Sequence, residues 1–240
     1  MNFPDLNTQS PVRDFVNHNP VIAIEVFAHH KIDFCCGGEK TLGAACEELG
    51  LTPGTILEQL NQAPSPAAAE PEENWTDLEP SGLIDHIVTT HHQYLESVFP
   101  ELTEITEKVV KAHAVNHPWL AELQEAVYYL IQDLKPHMMK EEQILFPMIK
   151  NMEKSMSGGM AHCGSVANPI RVMLMEHERA GNLLHKINEL TNGYQPPEDA
   201  CETFKHLYRL LKQVEVDTHL HVHKENNLLF PQVLERAEAL

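Results

Sequence analysis

Two eleven-residue segments of the sequence repeat the same pattern of potential metal ligands. The first runs from His137 to Pro147 and the second from His221 to Pro231, and six of the eleven aligned positions are identical. In each copy a His and a Glu stand four residues apart, so on a helix both side chains lie on one face and could bind one ion. A single pair of this kind is usually a solvated surface contact. Its recurrence with matching apolar neighbours favours a metal site.

Aligning the two copies separates ligand candidates from their neighbours. Glu141 aligns with Glu225, whereas the adjacent Glu142 aligns with Asn226, so the first pair is predicted to bind the metal. His223 has no imidazole opposite it in the first copy and lies about 200° round the helix from the ligand His two residues earlier. We therefore interpret it as a non-ligand.

Each half of the repeat also contains a single His on a preceding helix. His92 precedes the first motif by 45 residues and His177 precedes the second by 44. His91 is adjacent to His92 and points about 100° away from it, and the spacing favours His92 slightly. The predicted ligands are His92, His137, Glu141, His177, His221 and Glu225.

Four imidazoles and two carboxylates are more donors than one structural zinc ion takes, which is usually four. The set suits two hard or borderline ions that share bridging carboxylates, with iron as the leading candidate. If both Glu residues bridge, an octahedral iron would keep about two positions for water, an oxo group, O₂ or NO. The sequence therefore predicts a centre with room for chemistry and from which iron could leave.

A second reactive element is the vicinal pair Cys35 and Cys36, which is followed by two glycines. A thiol on such a turn ahead of a helix is expected to favour the thiolate, which suits redox chemistry or iron transfer. One buried and one exposed, inert cysteine is an equally consistent interpretation. Three further cysteines are interpreted as core or surface residues: Cys46, Cys163 and Cys201.

The composition limits the class of protein. A formal net charge of −18 over 240 residues argues against nucleic acid or an anionic membrane as partner. The odd number of cysteines, five, is typical of a reducing compartment rather than of a secreted disulfide framework. Neither a signal peptide nor a run of about 18 apolar residues is present. We expect a soluble, cytoplasmic protein.

The periodicity predicts an all-α chain, and no strand pattern competes with it. Residues 1–62 are expected to form a small helical domain, in which four helices have N-terminal start signals. A Pro/Ala/Glu-rich linker is predicted over 63–80. Residues 81–240 are predicted to form a four-helix bundle from a duplicated helical hairpin. Pro100 is expected to kink or divide the first bundle helix.

These motifs resemble the di-iron "repair of iron centres" family, bacterial iron–sulfur cluster repair factors. Asp-Phe-Cys-Cys-Gly-Gly, from Asp33 to Gly38, resembles the small N-terminal domain of that family, and the two repeated segments resemble its hemerythrin-like bundle. The resemblance covers nearly the whole chain. It implies two non-haem irons, oxo- and carboxylate-bridged, on the six ligands above, and induction under nitrosative or oxidative stress. Its implied clients are damaged iron–sulfur proteins. Whether the protein forms a homodimer is left open by the sequence.

Three alternatives fit parts of the pattern. A hemerythrin that binds or senses O₂ or NO typically carries five His with one Glu and one Asp, whereas the set here is symmetric. A ferritin-like ferroxidase would need Glu-x-x-His, which the chain does not contain. A di-iron enzyme that reduces or scavenges NO, with Cys35 and Cys36 supplying electrons, is not separated from iron donation by the sequence.

Overall fold

The computed structural model describes residues 2–63, 75–158 and 166–238. Within these ranges every regular element is helical, apart from one isolated β-bridge between Pro11 and Thr41. This confirms the all-α prediction. Residues 64–74 of the predicted linker and Cys163 lie outside the described part of the chain.

The helices follow one another through both repeats. The N-terminal set is α1 (Val12–His18), α2 (Pro20–His30), α3 (Leu42–Glu48) and α4 (Pro53–Gln62). A 3₁₀ turn, Trp75–Asp77, precedes the bundle helices. These are α5 (Pro80–Ile87), α6 (Gln93–His113), α7 (Trp119–Lys140), α8 (Phe146–Gly158), α9 (Ala167–Leu190), α10 (Glu202–Lys224) and α11 (Phe230–Glu238).

Three π-helical segments join consecutive α-helices into longer ones. Val88–His92 connects α5 to α6, Glu141–Leu145 connects α7 to α8, and Glu225–Leu229 connects α10 to α11. Each segment begins or ends at a predicted ligand. Such bulges are frequent at functional sites, because the extra residue in the turn re-aims the side chains around it. Pro100 lies inside α6, which continues through it to His113, so the proline does not divide this helix, and the alternative expectation of a kink stays a prediction.

The chain forms two compact units. The first comprises Met1–Glu79 together with Val222–Gln232, and the second comprises Pro80–His221 together with Val233–Leu240. The C-terminal part of the second repeat thus belongs to the same unit as the N-terminal helices.

Two of the four helices of the first unit, α2 and α3, begin with a side-chain cap, whereas α1 and α4 have no side-chain cap hydrogen bond. The side chain of Asn19 accepts a hydrogen bond from the backbone N–H of Ile22 in α2, and Thr41 accepts one from Ala44 in α3. These bonds satisfy N–H groups that have no partner within the helix. Its core contains a chain of four aromatic rings whose successive centroids lie 5.5, 6.0 and 6.4 Å apart: Phe3, Phe15, Phe27 and Phe34.

The second unit has a continuous apolar core between the bundle helices. Leu102, Leu130, Leu184 and Leu211 are fully or almost fully buried in it, one from each of α6, α7, α9 and α10. Side chains at helical spacing thus cover one another along the whole bundle, as the 3.6-residue periodicity predicts. Among the described helices, none combines the length and hydropathy that a membrane crossing would need.

Candidate metal centre

The six predicted ligands lie together in two overlapping groups of four. The first group is His92, Glu141, His221 and Glu225. The second group is His137, Glu141, His177 and Glu225. Within each group one donor atom per residue lies within 4.8 Å of all the others, and all six side chains are at most 2 % exposed.

The imidazoles form two pairs at short range. Nε2 of His92 lies 3.1 Å from Nε2 of His221, and Nε2 of His137 lies 3.0 Å from Nε2 of His177. Two donor atoms that bind the same ion, each at about 2.1 Å and at right angles to one another, lie about 3.0 Å apart. Each imidazole pair therefore has the spacing of two adjacent ligands of one metal ion.

Glu141 lies between the two pairs, with one carboxylate oxygen facing each. Its Oε2 is 3.5 Å from Nε2 of His92 and 3.9 Å from that of His221. Its Oε1 is 3.3 Å from Nε2 of His137 and 3.9 Å from that of His177. A carboxylate in this position can bridge two cations. Glu225 belongs to both groups and lies one turn beyond His221 on the same continuous helix.

The donor set fits a pair of hard or borderline cations. The two carboxylates of the cluster, Glu141 and Glu225, are fully buried. Burying an ionised carboxylate is costly unless cations or hydrogen-bond donors compensate it. Imidazole and carboxylate are also the ligands that non-haem iron takes in four-helix bundles.

Two further acids contact Nδ1 of candidate ligand imidazoles. Oε1 of Glu142 lies 2.7 Å from Nδ1 of His92, and Oε2 of Glu176 lies 3.0 Å from Nδ1 of His137. A carboxylate on Nδ1 fixes the proton there, so that the Nε2 lone pair faces the cluster. Burial alone would raise the pKa of Glu176, but hydrogen bonds from Lys140 and His137 lower it.

From the sequence, Glu176 beside His177 is consistent with an acid that supports a candidate ligand or lines a channel, and equally with a plain helix-surface acid, whereas Glu142 is set aside as a non-ligand. Comparing the copies could not reveal Glu142, because its counterpart in the second copy is an amide. An imidazole that binds a metal through Nε2 usually has a carboxylate, a carbonyl group or water on Nδ1. The available signal was therefore the extra Glu that directly follows Glu141 and has no acidic counterpart in the second copy.

His91 is turned away from the cluster. Its Nδ1 lies 2.8 Å from Oδ1 of Asp217, and its ring stacks on that of His221 at a centroid distance of 5.7 Å. Of the two adjacent histidines, His92 is therefore the one whose Nε2 faces the other candidate ligands. His91 thus packs against the candidate ligand His221, and the carboxylate of Asp217 holds its ring in place.

The two cysteines differ in environment. Cys35 is buried and Cys36 is exposed, with their sulfur atoms 3.9 Å apart. The hydrogen bond with Cys36, together with burial, raises the pKa of Cys35 well above the ordinary thiol value. The expectation of a favoured thiolate is therefore wrong for Cys35. The reason is that the pair lies on a packed loop, six residues before α3 begins.

The cysteine loop is bound by amide side chains from the second copy of the repeat, within the first unit. Nδ2 of Asn227 donates to the carbonyl oxygens of Phe34 and Cys35, at 3.2 and 3.0 Å. Nδ2 of Asn226 also donates to the Cys35 carbonyl, at 3.2 Å. A Cβ at Gly38 would stand 2.7 Å from the backbone carbonyl oxygen of Phe34 and 2.5 Å from Oδ1 of Asn227, so a larger residue would displace the loop backbone. Sequence reasoning missed this contact between distant segments.

Comparison with known proteins agrees with this architecture. Residues 83–233 match the family described as hemerythrin HHE cation binding domain. Residues 8–64 match a domain of unknown function, DUF542, also called ScdA_N. The first match covers the bundle with all six candidate ligands, and the second covers α1 to α4 and both vicinal cysteines.

Similar proteins span both domains. The chain is 36% identical over 212 residues to a "Probable iron-sulfur cluster repair protein" of Haemophilus influenzae, covering 88% of this chain and 91% of that protein. It is 36% identical over 214 residues, with the same coverage, to the iron-sulfur cluster repair protein YtfE of Yersinia pseudotuberculosis and to that of Yersinia pestis. The chain belongs to the hemerythrin-like family of iron–sulfur cluster repair proteins.

Proposed function

We propose that this protein repairs damaged iron–sulfur clusters by donating iron from a di-iron centre on the six candidate ligands. The names of its relatives support the repair of iron–sulfur clusters. The hemerythrin match and the two His/Glu groups support cation binding. The proposal assigns two irons to the centre, bridged by Glu141, Glu225 and an oxo group.

The position of Glu141 carries the proposal. Its two oxygens face different imidazole pairs, which is the arrangement of a carboxylate shared by two ions rather than the ligand of one. A site built for permanent storage of one structural ion would close with four ligands. The set here leaves positions open on each ion, and ions with open positions exchange more readily with incoming ligands.

The residues around the ions have separate tasks in this proposal. The four imidazoles would bind the ions through Nε2. Glu141 and Glu225 supply the negative charge that holds the ions inside the bundle. Glu142 and Glu176 orient His92 and His137. Bound iron would supply the cation that is transferred and a site at which O₂ or NO can bind.

We propose a role in iron transfer for the vicinal cysteines. Asp33, Cys35 and Cys36 place three potential ligand atoms within 4.8 Å of one another. Metal binding displaces the proton from a thiol, so the raised pKa of Cys35 would make such binding weak and reversible. Weak binding suits a residue group that passes an ion on. In this proposal 1–62 and 81–240 act as separate domains joined by 63–80.

The test follows iron from the full-length protein to a client. Protein loaded with Fe(II) is mixed with an NO-damaged [4Fe–4S] enzyme, and both the iron left on the protein and the recovered client activity are measured. We expect about two irons per chain, lost in step with recovery. Two irons that stay bound while NO is consumed would contradict iron donation and make the protein a di-iron NO enzyme.

Cys35→Ala/Cys36→Ala tests the cysteines in the same assay. We expect this variant to keep its iron and to restore the client more slowly. Cys201→Ala is the matched control, because Cys201 is exposed but lies outside the donor group. Restoration at the wild-type rate by the double variant would exclude the cysteines from transfer.

A further inference from the structure

The two imidazole pairs of the candidate centre differ in the acid that contacts the Nδ1 atom of one of their members. Glu142, which contacts His92, has 39 % of its side chain exposed. Glu176, which contacts His137, has 17 % exposed and also forms an ion pair with Lys140. The internal symmetry of the ligand set therefore does not extend to the acids behind it.

Glu142 also lines an open cavity of about 480 Å³ in the second unit. The other lining residues are Glu96, Lys135, Met139 and Gln143. His92 itself is 1 % exposed, so solvent in this cavity reaches the acid that holds the ligand but not the ligand. Any movement of the Glu142 carboxylate into the cavity would release Nδ1 of His92.

The free energies of the two contacts differ for a physical reason. A carboxylate that is open to water can exchange its hydrogen bond for solvent at little cost, whereas one that is fixed by an ammonium group and half enclosed cannot. Outer carboxylates fix the orientation and basicity of the imidazoles they contact. The weaker outer contact thus belongs to the pair formed by His92 and His221.

We propose that the two ion positions are inequivalent, and that Glu142 controls release of the ion bound by His92 and His221, which leaves first. Glu142 is a positioning residue that acts through His92. The inference rests on the proposed two-ion centre and specifies which half of it is labile. The cation would leave as a hydrated Fe(II) ion with its charge unchanged. Water would replace the imidazole and carboxylate ligands on the ion, and a bridging oxo group would take up two protons from solvent and leave as water.

Release of Fe(II) to an excess of a colorimetric chelator tests the proposal in the absence of any client. We expect two phases of equal amplitude from the wild-type protein. Glu142→Gln removes the negative charge of the carboxylate beside Nδ1 of His92. This variant should accelerate the fast phase about 10- to 100-fold while leaving the slow phase unchanged. Glu142→Asp, which keeps the charge but shortens the reach, should lie between the two.

Two matched variants separate this role from a general effect. Glu96→Gln removes an acid from the same cavity and should leave both phases unchanged. Glu176→Gln should accelerate the slow phase, because it weakens the contact with His137. Equal rates for wild type and Glu142→Gln would overturn the proposal, as would acceleration of the fast phase by Glu176→Gln. Thermal unfolding of each metal-free variant checks that it folds.

The position that empties first can be observed directly. Crystals of the iron-loaded protein are exposed briefly to chelator, and anomalous scattering at the iron edge is measured at each position. We expect the signal beside His92 and His221 to fall first. Loss beside His137 and His177 first would refute the assignment. Because no client is present, this outcome is independent of whether the protein repairs clusters.

Discussion

The two copies of the repeated segment share six of eleven residues but differ in their exposure to solvent. In the first copy, from His137 to Pro147, one whole side of the helix is exposed to solvent. In the second, from His221 to Pro231, nearly every side chain is buried. The exposed residues of the first copy include Met139, Glu142, Gln143 and Ile144, and the buried ones of the second include His223, Lys224, Asn227 and Leu228.

The difference arises because residues of the first unit pack on the second copy from Val222 onwards. Nε2 of His223 lies 2.9 Å from Oδ1 of Asn17, and Lys224 lies over the ring of Trp75. The positions that are identical in the two copies include both candidate ligands. Several positions that face other neighbours differ, such as Gln143 and Asn227, although Lys140 and Lys224 remain identical.

The largest expected effect concerns the residues in which the copies agree. Glu141→Ala and Glu225→Ala each remove a proposed bridging carboxylate, so we expect iron to fall from about two per chain to one or fewer. The near-ultraviolet absorption of an oxo bridge should disappear in both variants. Iron analysis and absorption spectra of the loaded proteins measure both quantities.

Glu178→Ala is the control for this pair, because Glu178 is an exposed acid adjacent to His177. It should keep full iron content. Two irons retained by Glu225→Ala with loss only in Glu141→Ala would show that the repeat is not functionally symmetric and that Glu225 is no bridge.

A smaller effect is expected where the copies differ, at Asn227 and its counterpart Gln143. Asn227→Ala leaves two buried carbonyls of the cysteine loop without this donor, a loss of about 1–3 kcal/mol. Gln143→Ala removes an exposed side chain and should cost less than about 0.5 kcal/mol. Alkylation of the buried Cys35 thiol reports opening of the loop.

We expect Asn227→Ala to raise the rate of Cys35 alkylation about 10-fold for each 1.4 kcal/mol lost. Alkylation of Cys36 is the internal reference, since this thiol is already exposed. An unchanged ratio of the two rates in Asn227→Ala would show that the amide does not hold the loop closed.

The repeat explains how much could be predicted. Helix periodicity, caps and the spacing of His92 and His177 from the motifs were sufficient for the all-α fold and for the ligand candidates that lie together in the structure. These features are local or repeat within the sequence. The side chains of Asn19 and Thr41, for example, accept hydrogen bonds from backbone N–H groups only three residues further along the chain.

What the sequence did not reveal depends on contacts between distant segments. The cysteine loop is held by Asn227, which lies almost two hundred residues from Cys35 in the sequence. The contact between His92 and Glu142 depends on how the π-helical segments Val88–His92 and Glu141–Leu145 align across the bundle. The π-helical segments were also missed, because a one-residue bulge changes the periodicity of a helix too little to detect by spacing.

Lys140 and Lys224 test the comparison at a position where the two copies have the same residue in different surroundings. Nζ of Lys224 lies 3.9 Å from the centroid of the Trp75 ring, and the residue is 1 % exposed. Lys140 is partly exposed and pairs with Glu176. A desolvated cation–π contact is worth about 2 kcal/mol, whereas a surface ion pair contributes about 0–1 kcal/mol.

Lys224→Met should therefore lower the free energy of unfolding of the metal-free protein by about 1–2 kcal/mol, and Lys140→Met by less than about 1 kcal/mol. Urea unfolding followed by circular dichroism measures both. Methionine keeps most of the side-chain volume, so the difference reports the charge rather than a cavity. Equal losses in the two variants would mean that identical residues contribute equally in both copies, and that burial by the first unit does not set their energetic roles.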